Sequence, residues 1–355
     1  MRELSCLKEY DLTLTVRGPV FIGCGVKAGK RDYLYDPRGR TVRFVDQHKL
    51  FELLIRKNLA DRYEAFMLGR EGYLSEFLRR DCGLTQDEIS SIVSYSVKVG
   101  DALDADHSLK EIHRFIRNAE GQAYVPGSSI KGAVRTALLA QMILQEEAHD
   151  LQEKLYEDRY FHTLACLKKN GVPDQRNAVN SIMRGIQISD SLPIPGGHMT
   201  LAGKIDVDKS GDTNQLNVCR ECIAPGTQIN AVLVLDDSIL KGRWTAEKIS
   251  AALEEFMRFQ KYMAEPFRLP KGAEPLPDGP FLLLGGGAGY LSKTAAYPFY
   301  DEDNGLKFVS ETLDRSFRKH NHKDDIDLGV SPRMLKYTGW NGGLYPFGLC
   351  EVKLS

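Results

Sequence analysis

The sequence lacks the features that mark membrane proteins, secreted proteins and strongly basic nucleic-acid-binding proteins. No apolar run approaches the ~18 residues that a membrane-spanning helix needs. The N-terminus, MRELSCLKEY, has no basic region followed by an apolar stretch and a small-residue cleavage site. Lys and Arg together number 47 against 48 for Asp and Glu, so any phosphate contact must come from local clusters of cations. These absences predict a cytoplasmic protein with no membrane partner.

Cysteine is sparse and irregularly spaced. The chain has seven cysteines without a repeating framework, as is typical of compartments where thiols stay reduced. Cys219 and Cys222 are the one close pair, and a Cys-x-x-Cys spacing can serve zinc or redox chemistry. Residues 215–223 alternate as a β-strand does, which sends residues three apart to opposite faces, and no second pair supplies the missing zinc ligands. We therefore predict ordinary strand cysteines, no metal site and no cofactor.

Motifs of known catalytic centres are also missing from the sequence. There is no His-Glu-x-x-His and no Gly-x-Ser-x-Gly, and His320 and His322 lie in a polar stretch, RSFRKHNHKDD, that is typical of a solvated surface. Asp32 and Asp36 could bind a metal or position a water molecule for RNA hydrolysis, but surface carboxylates are common. They are weak catalytic candidates, and the sequence favours a protein that is not an enzyme.

Hydrophobic periodicity predicts the secondary structure. Alternation predicts strands at residues 10–16 and 41–45, and Asp46 is a candidate cap for the first of several short helices that end near Tyr95. A long helix begins near Ser128, and more helix follows over residues 146–169. The remaining predictions are strands at 185–190, 198–207, 217–223, 228–236 and 281–284, a helix at 245–263 and an edge strand at 348–354.

The order of these elements predicts the fold class. A chain of 355 residues fits two compact units or one core enlarged by insertions. Without the helical block, the order is strand, helix, strand, strand, helix, strand, as in ferredoxin-like and RRM-type folds. We predict an α+β protein with a modified ferredoxin-like (RRM-like) core at 1–45 and 120–290, a mainly helical insertion at 46–119 and a C-terminal extension at 291–355.

A glycine cluster follows the predicted strand at 281–284. Without side chains, backbone N–H groups can approach an anion such as phosphate. Lys293 follows closely and would add charge, and the P-loop spacing is absent. The alternative is a tight turn after a buried strand. The candidate phosphate contacts are Gly285, Gly286, Gly287, Gly289 and Lys293.

A second candidate anion site lies at the start of the long helix. Ser128 or Ser129 would cap it, and the free N–H groups of a helix N-terminus favour negative charge. Lys131 and Arg135 are four residues apart and share one helix face. Gly132 costs ~1 kcal/mol inside a helix, which predicts a packing or close-approach reason for it. The alternative is a capped core helix with a solvated basic side.

Two further clusters of cations are visible in the sequence. The first includes Lys27 and Lys30, and the second lies near the C-terminus. Charge runs usually form solvated faces, so charge alone does not decide between RNA binding and a surface role. The cations are Lys27, Lys30, Arg31, Arg38, Arg40 and Arg43 in the first cluster and Arg315, Arg318, Lys319 and Lys323 in the second.

Several motifs together resemble one protein family. YVPGSSIKGAVRTALL, at residues 124–139, is similar to the Pro-Gly-Ser-Ser-Leu-Lys-Gly-Ala helix start of the RAMP superfamily, the repeat-associated proteins of CRISPR systems. PVFIGCG at 19–25 and GGGAGYLSKT at 285–294 accompany it in the family's order. With SPRMLKYT at 331–338 and the overall length, the best match is the Csm-type subunit that caps the backbone filament of type III-A complexes.

The resemblance implies a guide-RNA (crRNA)-binding subunit that lies toward the 3′ end of the guide and supports guide maturation and antiviral defence without being the nuclease. The implied partners are guide RNA, neighbouring Csm-type backbone subunits and, as further candidates, target RNA and host nucleases. In the backbone subunits an aspartate after the first glycine motif cuts target RNA, but the spacing of Asp32 and Asp36 does not allow either to be assigned. The matching positions become candidate RNA contacts: Gly23, Gly25, Ser128, Ser129, Lys131, Arg135 and the loop at 285–289.

Two other functions stay open on the sequence. The first is a ribonuclease of the same superfamily that processes guide precursor or cuts target RNA, which would require Asp32, Asp36 or a histidine. The second is a structural adaptor whose glycine loops contact only protein.

Overall fold

A computed structural model gives the fold of most of the chain. It describes residues 6–69, 72–102, 111–145, 160–162, 166–172, 174 and 177–355. The helix predicted over residues 146–169 falls mostly outside the described residues. Among the described residues, no helix is both long enough and apolar enough to cross a bilayer.

The strands arise where apolar residues alternate with polar ones. In the first strand Leu12, Leu14 and Val16 are buried and the residues between them are partly exposed, as expected when one face of a strand packs on a core. The strands are β1 (Leu7–Val16), β2 (Gly23–Ala28), β3 (Tyr33–Asp36), β4 (Thr41–Val45), β5 (Val93–Val99), β6 (Ile112–Phe115), β7 (Ile186–Ile188), β8 (Met199–Asp208), β9 (Thr213–Ile223), β10 (Gln228–Asp236), β11 (Phe281–Leu283), β12 (Met334–Trp340), β13 (Gly343–Pro346) and β14 (Leu349–Leu354).

The described helices vary in length from single turns to five turns. They are α1 (Gln47–Arg56), α2 (Ala60–Leu68), α3 (Leu74–Glu76), α4 (Gln86–Ser91), α5 (Gly127–Leu144), α6 (Asp237–Leu240), α7 (Ala246–Ala264), α8 (Ala296–Phe299), α9 (Glu302–Ser316) and α10 (Asp325–Leu328). A π-helical turn, Phe77–Asp81, follows α3 directly. The 3₁₀ turns are Ala178–Asn180, Ile182–Gly185, Gly196–His198, Leu291–Lys293, Arg318–His320 and His322–Asp324.

Two sheets organise the chain, which is a mixed α and β structure. The first sheet has the strand order β11-β14-β1-β10-β7, and every neighbouring pair in it is antiparallel. The second has the order β2-β6-β9-β8-β5-β4-β3, with β12 paired to β8 and β13 paired to β12. α5 and α7 pack on one another, and both contribute to the hydrophobic cluster that includes the first sheet.

The C-terminal strand is present, but the prediction that it lies at an edge is wrong. β14 pairs with β1 on one side and with β11 on the other, so it lies inside the first sheet. Cys350 and Val352 are consequently buried. Alternation in a sequence shows that one face of a strand is buried, and it carries no information about how many neighbours the strand has.

The helical block begins as predicted and ends earlier. Asp46 caps α1, since its side chain accepts hydrogen bonds from the N–H groups of His48 and Lys49 at 3.0 and 3.1 Å. The block has its own hydrophobic cluster, which includes Leu54 and Leu78. The prediction that helix continues to Tyr95 is wrong, because β5 starts at Val93 and pairs with β4.

The long helix starts one residue before the serines that were predicted to cap it. Pro126 is the N-cap, and neither Ser128 nor Ser129 makes a capping hydrogen bond. The N–H group of Gly127 instead donates to Asp190 Oδ1 at 2.8 Å, so a residue 63 positions away accepts a hydrogen bond from the first turn of the helix. The predicted buried face is confirmed: Ile130, Val134, Ala137 and Leu138 are all buried.

Candidate nucleic-acid interface

The exposed face of α5 carries the first part of the candidate site. Ser128 is exposed, and Lys131 and Arg135 are partly exposed on the same face at three- and four-residue spacing. Burial lowers the pKa of the Lys131 ammonium group below its usual value. A nearby anion would counteract this effect, because it favours the protonated lysine.

Gly132 has no packing reason within the described part of the chain. A Cβ atom at this position would meet no heavy atom within 4 Å, and the residue is exposed in the middle of an 18-residue helix. The close-approach explanation therefore points outward, away from the described part of the chain. A glycine inside a helix lowers the stability of the helix by ~1 kcal/mol relative to alanine. We therefore expect the exposed backbone at Gly132 to have a role other than packing.

The Gly285–Gly289 loop packs partly on the chain itself. A Cβ atom on Gly285 would lie 2.2 Å from the carbonyl oxygen of Phe21, and Gly285 has φ +80°. The N–H group of Gly286 donates to the same oxygen at 2.8 Å. The tight-turn alternative therefore accounts for these two glycines. Gly287 and Gly289 also have positive φ, at 98° and 91°, and all four glycines of the loop are partly exposed.

The first glycine motif lies directly beside this loop. Phe21 forms an isolated bridge with Gly285, and β2 then begins at Gly23 at the edge of the second sheet. Gly23 and Gly25 are exposed, and a Cβ atom on Gly25 would have open space around it. Two motifs that are about 260 positions apart in the sequence thus meet at Phe21 and Gly285.

Three cations line a cleft, which we call the basic cleft, together with Tyr290, the residue that follows the glycine loop. Arg135 from α5, Lys293 and Arg315 from α9 line this cavity of about 350 Å³. Arg135 stacks its guanidinium group on the Phe161 ring at 4.7 Å, which fixes its position. The rest of the lining is mostly polar or aromatic and consists of Thr136, Leu139, Tyr290, Thr294, Ala295, Phe308 and Thr312.

Electrostatics make the basic cleft attractive to anions. Lys293 is exposed at the surface, but desolvation by the surrounding atoms, followed by the positive charge of Arg220, lowers its pKa. No carboxylate lines the cleft among the described residues. A phosphate group that entered would gain Coulomb attraction from several cations.

Arg220 is a candidate that sequence reasoning missed. Its guanidinium group lies 5.4 Å from the centroid of the Phe21 ring and 5.5 Å from that of Phe347, the rings on which the glycine loop packs. Its Nε and Nη1 atoms are buried without a hydrogen-bond partner among the described residues. Burial lowers the pKa of Arg220. Its sequence context, between Cys219 and Glu221 in the mixed polar and apolar strand β9, gives no distinct signal.

The predicted cations and carboxylates near the first glycine motif have local partners. Lys27 Nζ lies 2.9 Å from Glu111 Oε1, and Lys30 Nζ lies 4.6 Å from the centroid of the Tyr73 ring. Asp32 accepts a hydrogen bond from the N–H group of Gly29 at 2.7 Å, and Asp36 accepts one from that of Arg38 at 3.1 Å. None of these four predicted residues lines the basic cleft. The two aspartates act as turn-stabilising acceptors here.

Cys219 and Cys222, which are close in the sequence, lie in β9 as predicted. Both are buried, and burial raises the pKa of the Cys219 thiol to about 12. The thiolate form that zinc or redox chemistry needs is therefore strongly disfavoured. Across the described residues, no group of three or more His, Cys, Asp or Glu side chains is arranged to hold a metal ion.

Comparison with known proteins gives the family. The model of the RAMP superfamily matches residues 13–321. The "CRISPR system Cms protein Csm5" of Mycobacterium tuberculosis (strain ATCC 25618 / H37Rv) is 30% identical over 98% of this chain and 98% of that protein. The chain belongs to the Csm5 family of the RAMP superfamily. The family prediction made from the three glycine motifs is confirmed, and the chain is a subunit of the Csm type found in type III-A CRISPR systems.

Other relatives agree with this assignment. Csm5 of Enterococcus italicus is 27% identical, covering 88% of this chain and 86% of the relative. A chain of a Csm–crRNA–target RNA ternary complex from a type III-A system has a TM-score of 0.65 at 18% identity, with 97% and 100% of the two chains covered. The crystal structure of T. onnurineus Csm5 gives a TM-score of 0.60 at 18% identity, with 96% and 99% covered. These structural matches show that the Csm5 family members share this fold.

Proposed function

We propose that the protein binds guide RNA as the subunit that caps the backbone filament of a type III-A effector complex, toward the 3′ end of the guide. The basic cleft carries this proposal. It brings together Arg135, Lys293 and Arg315, which are far apart in the sequence, and its lining includes Tyr290, the residue that follows the partly exposed glycine loop. Phosphates are bound by this combination of cations and accessible backbone. The relative from the ternary complex, whose description includes crRNA and target RNA, supports it.

The RNA strand is proposed to follow one continuous surface. It would run from the exposed face of α5, over Gly132, into the basic cleft and along the glycine loop toward Gly23 and Gly25. The open space at Gly132 and Gly25 supports this path, because a sugar-phosphate backbone can approach bare main chain closely. Arg220 would supply charge from below the loop.

The wider assignments are proposals as well. We propose that the protein acts in the cytoplasm, supports guide maturation and antiviral defence, contacts the backbone subunit and target RNA, and does not cut RNA itself. The hydrogen bonds that Asp32 and Asp36 accept within their own turns support a structural role for both. Recruitment of host nucleases stays a prediction.

The proposed core is a modified ferredoxin-like unit made of the first sheet with α5 and α7. The strand order β14-β1-β10-β7 supports it, because the fourth strand of such a unit lies beside the first. β14 would take the place of the fourth strand, and the predicted fourth strand, β11, would be an addition at the edge. The division into a core, an insertion at 46–119 and a C-terminal extension at 291–355 remains a proposal, and the insertion includes β5 and β6 as well as helices.

Removing two cations of the basic cleft tests the RNA-binding proposal. Lys293→Ala combined with Arg315→Ala is expected to weaken binding of guide RNA about 20-fold at 0.1 M salt and to reduce the slope of log K against log salt by about 1.4, since each phosphate contact on a single strand contributes about 0.7. Both side chains are exposed, so the fold should not change. Affinity would be measured by titration of purified protein over a salt series.

A double variant elsewhere on the surface is the matched control. Arg17→Ala with Arg258→Ala removes the same charge from two exposed residues that pair with Glu351 and Glu255 and do not line the basic cleft. Its salt slope should stay near that of the wild type. Equal slopes for the wild type and both double variants would show that the basic cleft does not contact the RNA.

A further inference from the structure

A second cavity shares part of its lining with the basic cleft. It has a volume of about 220 Å³ and is lined by one end of α7, the loop and β12. Tyr290 lines both cavities, and Ala288 and Gly289 of the loop also line this one. The volume lies below the ~300–1,000 Å³ of sites for drug-sized ligands, so it fits a group the size of one base or one side chain.

The lining of this cavity is apolar and aromatic. Phe267 and Tyr337 are buried, and the Tyr337 hydroxyl donates to the carbonyl oxygen of Glu274 at 3.0 Å. Apolar side chains form most of the remaining wall: Leu269, Pro275, Leu276, Leu283, Leu291, Pro332, Met334 and Pro346. A flat, weakly hydrated ring system would find favourable contacts on such a surface.

Gln260 is the buried polar residue of this lining, whereas Lys261, Glu265 and Lys336, which also line the cavity, are partly or fully exposed. The exposure of Gln260 is 3%. No hydrogen bond joins its amide to another group in the described part of the chain, and its amide atoms are not among the solvent-excluded polar atoms that lack a partner. The amide is therefore accessible from the cavity, where a ligand can supply its hydrogen bonds.

We propose that this cavity receives one unstacked base of the RNA strand held in the basic cleft, with Gln260 bonding to the edge of that base. The inference rests on the proposed RNA binding. Tyr290 lines both cavities, so a phosphate in the cleft and a base in the cavity can belong to adjacent parts of one strand. Single-stranded RNA is read by splayed bases that stack on aromatic rings and hydrogen-bond through their edges. An amide offers both a donor and an acceptor to a base edge.

The polar groups around the cavity favour a nucleotide over an apolar protein side chain as the occupant. Cations of the basic cleft flank Tyr290 on one side. On the other side the cavity is bordered by the Glu265 carboxylate and by Lys261 and Lys336, which pair with Asp278 and Asp206 at 2.7 and 2.9 Å. A protein side chain such as leucine would leave the Gln260 amide unpaired and would gain nothing from the neighbouring cations.

An abasic scan of the guide tests the proposal. Guide RNAs that lack one base at successive positions would be titrated against the wild-type protein in its complex, and one position is expected to lose about tenfold in affinity. In Gln260→Leu, the base at that position should contribute about tenfold less to the affinity for guide RNA. The slope of log K against log salt should stay that of the wild type. Met334→Phe, which narrows the cavity from a partly exposed position, should have the same effect without touching Gln260. Gln141→Leu, at a partly buried glutamine that lines a different cavity, is the matched control.

The outcomes separate this inference from the proposed function. If the cation double variant weakens RNA binding and the abasic scan is flat, RNA binding stands and the base pocket is wrong. If Gln260→Leu and Met334→Phe instead weaken assembly with the neighbouring Csm subunits in the absence of RNA, the cavity receives a protein side chain and the proposal is overturned. Both variants should have melting temperatures near that of Gln141→Leu, which shows that they are folded. The proposal is supported if removing the base at one guide position lowers the affinity of the wild type and no longer lowers that of either variant.

Discussion

Gly127→Ala is expected to lower the free energy of unfolding by about 2–4 kcal/mol. A Cβ atom on Gly127 would lie 2.1 Å from the carbonyl oxygen of Ile188 and 2.6 Å from that of Ser189. Both are backbone atoms, so the clash with the added Cβ atom could be relieved only if α5 and the end of β7 moved apart. Separation would also break the hydrogen bond from the Gly127 N–H group to Asp190. Chemical denaturation of the purified variant measures the loss.

Gly132→Ala in the same helix is the matched control and has the opposite expected sign. Because a Cβ atom at Gly132 would meet open space, alanine should raise the free energy of unfolding by about 0.5–1 kcal/mol. The same variant should weaken RNA binding if the RNA backbone approaches Gly132. A more stable protein with weaker RNA binding would separate a contact role from a folding role. Equal stability of Gly127→Ala and the wild type would contradict the close approach of α5 to β7.

Glu221→Ala is expected to cost about 3–5 kcal/mol of stability. Glu221 is fully buried in β9, where it pairs with Arg117 and accepts hydrogen bonds from the Phe115 N–H group at 3.0 Å and the Tyr95 hydroxyl at 3.2 Å. Its removal would leave the mostly buried Arg117 guanidinium group without its anion, and that group stacks 3.7 Å from the Tyr95 ring centroid. Thermal unfolding would show the loss as a large fall in melting temperature.

An exposed ion pair supplies the comparison for Glu221. Glu351→Ala removes the partner of Arg17, and both side chains of that pair are about half exposed. Water screens such a pair, so the expected loss is about 0–1 kcal/mol. The β6–β9 pairing that Glu221 links also positions Arg220 beneath the glycine loop, so Glu221→Ala should weaken RNA binding as well. Similar losses for Glu221→Ala and Glu351→Ala would show that the buried network contributes little.

Two cation sets that look alike in the sequence have different roles in the structure. Lys293 and Arg315 converge on the basic cleft, whereas Lys27 and Lys30 contact Glu111 and Tyr73 of the same chain. Charge density along the sequence cannot separate these cases, because the convergence depends on how α9 packs near α5. RNA contact by Lys293, Lys27 and Lys30 stays a prediction, and the structure shows only that Lys293 lines the basic cleft whereas Lys27 and Lys30 contact other parts of the chain.

The sequence by itself determined the elements with strong local periodicity and the family. β10 is found at the predicted residues, and Asp46 caps α1 because an aspartate before an amphipathic segment satisfies the first N–H groups locally. The RAMP superfamily could be predicted from three motifs, since each requires glycine for backbone reasons that survive divergence of the surrounding residues.

Only the tertiary structure decided which distant residues meet. It placed β14 inside the first sheet, moved the start of α5 to Pro126, set Gly285 against Phe21 and gathered Arg135 with Lys293 and Arg315. It also placed Gln260 beside the glycine loop. The physical reason is that these contacts join residues tens to hundreds of positions apart. Strand pairing and helix packing create such contacts, and local periodicity describes one face of one element at a time.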